Sequence, residues 1–346
     1  MDTSLPDFRA RCLEAALDLF WRQWCSLGVA GHAAPAPETR LIDPEALLLA
    51  TASMGRHEPR LFDEALDWLG SYGSLINLQR LKNLQRSTGL GDDSVVCSIA
   101  DWLVAHGAQP RWKVLAGRDR NRAQVQPLFL GIKGPASRES DPTFLAHGLE
   151  RSPFQPRGLS RAPNPTQPPN LILALRALIG VSARVEVILC LAGGTAAHAS
   201  EIARVTGYAP RTLQALLQEM SLSGHLLSQE PATARTTKVR RGANRRYHLQ
   251  PTDWTFLTNG RALPQWFPWV ALFSLVRQVL VAIPATGEKA RHPAVISSKL
   301  RDALATHGQP LAAAGLLPAL DLRPEAPGDE LLQTLAERLP PVLSGL

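Results

Sequence analysis

The densest chemistry in the sequence is a run of six basic residues with no acid among them: Arg235, Lys238, Arg240, Arg241, Arg245 and Arg246, interleaved with threonines and Asn244. Guanidinium forks and ammonium groups are matched to phosphate oxygens, and the hydroxyls and the amide add further hydrogen-bond donors for the same acceptors. Upstream, Leu213, Leu216, Leu217 and Met220 recur at i, i+3, i+4 and i+7. That spacing predicts a helix over 210–220 with one apolar face. It leaves Arg211, Thr212, Gln214 and Gln218 on the other side, available to base edges in a groove.

Other chemistries find little support. The sequence has no phosphate-binding G-x-x-x-x-G-K-[ST] loop, no G-x-G-x-x-G, no H-E-x-x-H and no G-x-S-x-G. Gly91-Asp92-Asp93-Ser94 offers paired carboxylates, but the apolar pattern that follows reads as a helix, with the acids at its start. The nine histidines are scattered, with His198 and His225 at element ends. Cys12, Cys25, Cys97 and Cys190 form no C-x-x-C pair and lie among apolar neighbours, as buried thiols of a reducing cytoplasm do. The expectation is a protein without a catalytic residue, metal or cofactor, and not an enzyme.

The elements that must position the basic run can be read around it. A helix over 171–179 ends at Gly180, and another from Ser182 places Val185, Ile188, Leu189 and Ala192 on one face before Gly193-Gly194 stops it. A short helix, a turn at Gly207 and a longer helix opened by Pro210 follow. Ala203 is small where two helices approach, Gly207 permits the backbone of a sharp turn, and Leu213 plugs the joint with Ile202, Tyr208 and Leu216. His225–Glu230 and Arg245–Gln250 read as two strands of a hairpin, with the basic turn from Pro231 onward between them.

From about 181 to 250, the chain resembles the winged helix-turn-helix transcription regulators of the MarR and ArsR kind. The likeness rests on Ser200-Glu-Ile-Ala-Arg-Val-Thr-Gly-Tyr, Arg211-Thr-Leu-Gln, Ser223-Gly-His-Leu-Leu and the strand Arg246-Tyr-His-Leu. It implies a recognition helix (210–220) in the major groove of double-stranded DNA, a basic wing (231–246) over phosphates or the minor groove, and Ser200 among the contacts. The cysteine pair of metal-sensing relatives is absent.

Charge distribution agrees with a central basic surface. Residues 1–110 hold 9 basic and 14 acidic residues, 111–250 hold 20 and 8, and 251–346 hold 8 and 8, within a chain of formal charge +7. At 346 residues and 45% apolar content, the chain has material for more than one core. The expected fold is mainly α. A helical N-terminal domain (1–132) has helices at about 44–54, from Pro59, from Asn77 and at 92–106, with short strands at 111–115 and 127–132. A Pro/Arg-rich linker (133–170) follows, free of acid from 151 to 180 and a possible arm along an anionic surface. Then come the winged helix-turn-helix domain with its small β-hairpin wing (171–252) and a helical C-terminal dimerisation or packing region (253–346).

In the last region Trp269, Leu272, Phe273, Val276, Leu280 and Ile283 share a face that suits the N-terminal bundle or a homodimer seam, while the end reads as short helices and a loose tail. Residues 61–86 carry a weaker second helix-turn-helix reading, with Gln79, Arg80, Lys82, Asn83 and Arg86 on its last helix. The basic run 111–122 reads as a solvated loop. No signal peptide or membrane span is expected, which points to a cytoplasmic location. A sequence-specific DNA-binding regulator is the leading expectation, its effector undefined, and a non-enzymatic docking or assembly factor is the alternative.

Overall fold

The computed structural model describes the chain apart from residues 1–3, 32–33, 35, 108, 118–124, 132–138, 194–197, 230–244, 250–253, 255, 257–262, 286–288, 290, 321 and 323–325. It is mainly helical with very little strand. The contacts divide it into two compact units: Met1–Ala36, Asp43–Ala162 and Pro268–Leu346 form the first, and Pro37–Ile42 with Pro163–Phe267 form the second. No helix among the described residues is long and apolar enough to cross a membrane.

In unit 1, α1 (Leu5–Ser26) starts where Ser4 Oγ accepts the Asp7 N–H. Next come α2 (Pro44–Ser53), α3 (Pro59–Tyr72), α4 (Leu78–Thr88) and α5 (Asp93–Ala105). Asp43 and Asn77 cap α2 and α4 through the N–H groups of Ala46 and Arg80. The core between these helices holds Trp24 and Trp68, 5.5 Å apart edge to face. Burial of an indole leaves a donor to satisfy: Trp24 Nε1 finds Thr51 Oγ1 at 3.0 Å and Trp68 Nε1 finds the Leu27 carbonyl at 2.8 Å.

The segment expected to be strand at 111–115 is a 3-10 turn, Pro110–Val114, anchored by the fully buried Trp112. The short strand β1 is Gln126–Pro127, displaced from the expected 127–132. The stretch read as a linker is tied down by specific contacts from residue 139 to 162, although most of residues 152–162 are exposed. Asp141 caps α6 (Pro142–Leu145), and β2 (Leu149–Glu150) pairs in parallel with β1. Arg151 meets Asp63 at 2.8 Å and lies over the rings of Phe129, Phe144 and Phe154. Farther along, Arg157 pairs with Glu64, and Asp67 takes the Gly158 N–H at 3.0 Å and the Ser160 hydroxyl at 2.8 Å. The acid-free arm thus has its anionic surface within the chain, on α3.

Unit 2 contains α7 (Leu171–Ile179), α8 (Ala183–Ala192), α9 (Ala199–Thr206), α10 (Pro210–Ser221), β3 (Leu226–Gln229) and β4 (Arg246–Leu249). Unit 1 resumes with α11 (Trp269–Ala282), α12 (Pro293–Ala313), α13 (Leu316–Leu320) and α14 (Gly328–Gly345). The apolar stripe of α11 is covered within unit 1 by α1, α2 and α12, with Phe20 edge-on to Phe273 at 5.1 Å. Of the two alternatives for that stripe, the structure shows packing within the chain.

The expected loose tail is instead α14, which contains Pro340 and Pro341. Pro340 has no N–H for the Ala336 carbonyl, and Arg11 Nη2 from α1 donates to that oxygen at 2.9 Å. A side chain from elsewhere in the sequence replaces the lost helical bond, which is why the pattern alone reads as broken.

Candidate nucleic-acid interface

The interface begins with a buried platform. Along α8 the run Val185 to Leu191 is buried, including Glu186, whose side chain is 0% exposed and receives Arg176 Nη2 from α7 at 2.5 Å. Tyr208, in the turn after α9, donates its hydroxyl to the second oxygen of Glu186 at 3.4 Å. One carboxylate therefore connects α7, α8 and the turn. The sequence reading missed this group; its signal is a single acid in the middle of an otherwise apolar helix.

The turn that separates α9 from α10 follows from two residues. Gly207 closes α9 in the left-handed region at φ +79°, its N–H on the Ala203 carbonyl at 2.9 Å. Pro210 occupies the first turn of α10, where a missing N–H costs nothing. Ile202, Ala203, Tyr208, Leu213 and Leu217 are buried at the joint. Burial of each leucine contributes roughly 1.5–3 kcal/mol. Leu216 and Met220, expected inward, are half-buried.

On the other side of α10, Arg211, Thr212 and Gln218 are exposed, while Gln214 is half-buried. No side chain caps the start of α10, so the positive end of its dipole lies beside Arg211 and Thr212. Ser200 is exposed in the first turn of α9, and Arg204 is exposed in its last turn.

β3 and β4 are antiparallel, with Leu226 opposite Leu249 and Gln229 opposite Arg246. Tyr247 and Leu249 are buried on one face, and Arg246 is exposed on the other. Arg246 donates from Nε to His198 Nε2 at 3.0 Å, while His198 Nδ1 lies 3.3 Å from the Arg245 carbonyl oxygen. The main-chain N–H of His198 donates to Glu201 Oε2 at 3.0 Å. The imidazole thus joins the start of α9 to β4, a contact between residues 48 apart that spacing does not reveal. Arg235, Lys238, Arg240, Arg241 and Asn244 lie outside the described residues.

Several charged groups of the competing sites are engaged within the chain. Asp92 is bound by Arg56 at 2.7 Å, and Arg56 also donates to the carbonyls of Leu128 and Pro127. Asp93 accepts from Gln85 at 2.8 Å. Both carboxylates border an open cavity of about 450 Å³ with Arg86 and Arg277, yet each already has a partner. In the weaker second helix-turn-helix reading, Arg80 is fully buried, 2.6 Å from both Asp43 and Glu45, and so is withheld from any groove. In the run 111–122, Arg111 donates to the carbonyls of Ser74 and Ile76, and residues 118–122, with Arg118 and Arg120, lie outside the described residues.

None of the four cysteines is in a disulfide, and burial pushes the Cys12 thiol up to about 12. Among the described residues there is no group of three or more His, Cys, Asp or Glu side chains that could hold a metal. Comparison with protein-family models, curated proteins and solved structures returns no match.

Proposed function

We propose that the chain is a sequence-specific, double-stranded DNA-binding transcriptional regulator, with unit 2 as its winged helix-turn-helix, α10 as the recognition helix and the 231–246 segment as the wing. The order α8, α9, α10 and two antiparallel strands supports this reading. The observation that carries it is the division of α10 into a buried face of Leu213 and Leu217 and an exposed face of Arg211, Thr212 and Gln218. In this reading Arg211, Thr212, Gln214 and Gln218 meet base edges, and Ser200, Arg245, Arg246 and the basic residues from Arg235 to Arg241 hold phosphates. A homodimer reading two half-sites belongs to the proposal, formed through a surface other than the α11 stripe.

Titration of the full chain against fragments of its own genome at two salt concentrations tests the proposal. The expected result is selective retention of particular duplexes, with log affinity falling against log salt at a slope of roughly −4 to −5, as contact with about five phosphates requires. Binding that is weak, unselective and indifferent to salt would sink it. Such an outcome favours the second reading, a non-enzymatic docking factor, for which the specific observation is the exposure of Leu178 (71%) and Leu222 (89%) on unit 2.

A further inference from the structure

We infer that His198 is a positioning residue that fixes the Arg246 guanidinium for a phosphate of the DNA backbone; this rests on the DNA-binding reading above. The Arg245 carbonyl can only accept, so the 3.3 Å contact places the imidazole hydrogen on Nδ1. Nε2 then keeps its lone pair and accepts from Arg246 Nε at 3.0 Å. A single neutral tautomer satisfies both contacts, and it leaves the Glu201 N–H at the start of α9 to the His198 carbonyl at 3.0 Å rather than to the imidazole, the alternative acceptor there.

The consequence lies at the far end of Arg246. Attachment through Nε leaves the Nη1 and Nη2 pair, the edge that takes two oxygens of a phosphate side by side. Among the described residues no carboxylate pairs with Arg246, and the side chain is exposed on the outer face of β4. A mobile arginine loses rotamer entropy on immobilisation, and a side chain already held by an imidazole loses less of it on binding. His198 belongs to the start of α9, two residues before the exposed Ser200, so the same contact couples the helix to the end of the basic run.

The test compares wild type with His198→Ala, Arg246→Ala and the double variant in salt titrations on a duplex that wild type selects. Arg246→Ala should make the salt slope shallower by about one. His198→Ala should do the same although it leaves Arg246 in place, and the double variant should show no further change. His198→Gln, whose side-chain oxygen can accept from Arg246, should restore much of the slope. Nitrogen NMR of the wild-type imidazole supplies a readout that needs neither DNA nor a folded variant: the expected signature is a protonated Nδ1 and an unprotonated, hydrogen-bonded Nε2. An unchanged slope in His198→Ala, or a proton on Nε2, overturns this inference alone. A wild type that ignores duplexes overturns the DNA reading and this inference with it.

Discussion

Glu186 and Arg176 form a 2.5 Å ion pair with both side chains at 0% exposure, and Tyr208 from the helix-turn-helix joint completes the carboxylate's coordination. A buried pair of this kind contributes little net stability compared with apolar residues, but loss of one member strands the other charge at a cost of about 3–5 kcal/mol. Arg176→Met should therefore destabilise unit 2 by that order, read as an earlier transition in chemical unfolding. Arg176→Met with Glu186→Leu should recover most of it. If the single variant unfolds like wild type, the pair does not hold α7, α8 and the turn together.

The arm along α3 depends on a close approach at Gly28. Its φ is +104°, and a Cβ there would sit 2.2 Å from the Arg161 carbonyl oxygen, while the Arg161 N–H donates to the Gly28 carbonyl at 2.7 Å. Gly28→Ala should displace residues 157–162 and cost roughly 1–3 kcal/mol. Limited proteolysis should then cut near Arg157 or Arg161 faster than in wild type. Equal cutting rates would show that the arm is held by its side-chain contacts to Asp67 and Glu64 alone.

Acid should weaken unit 1 through its histidines. Desolvation lowers the His57 pKa, with Arg9 and Arg56 adding repulsion, and desolvation also lowers that of His307. A base with a depressed native pKa binds more protons when unfolded, so its stability is present above about pH 6.5 and is lost as pH falls through the native value. Asp63 is shifted up by burial, against the pull of Arg151, and so works in the opposite direction at lower pH. Thermal unfolding should show a decline below about pH 6.5 that becomes shallower in His57→Gln. A His57→Gln profile parallel to wild type would remove His57 from this account.

What the sequence discloses and what it hides divide along the range of the interaction. Asp43, Asn77, Gly207 and Pro210 act on neighbours a few residues away, and the ends of α2, α4, α9 and α10 are legible from them. The alternation that buries Tyr247 and Leu249 is local too. In contrast, Pro340 reads as a helix breaker because its remedy, Arg11, is 325 residues away from the carbonyl it satisfies. The arm from 151 to 162 reads as a connector because prolines suppress regular structure there, whereas its partners Asp63, Glu64 and Asp67 lie far upstream. In the candidate interface, the exposed side of α10 follows from periodicity, but the role of His198 depends on Arg246 meeting it across the fold.

The proposed reading face makes the last prediction. Arg211 and Gln218 are exposed at opposite ends of α10, and neither is needed for the buried joint formed by Leu213 and Leu217. An arginine or glutamine that makes paired hydrogen bonds to a base edge discriminates against the wrong base by about 1–3 kcal/mol. Arg211→Ala and Gln218→Ala should therefore each relax preference at a limited set of base pairs while the protein remains as stable as wild type. Gln214→Ala should do so less, because its half-buried side chain has less reach. Selection from a randomised duplex pool, run with the three variants and with Arg246→Ala, separates the roles: Arg246→Ala should weaken all sequences alike. If Arg211→Ala and Gln218→Ala select the same sequences as wild type, α10 does not read bases.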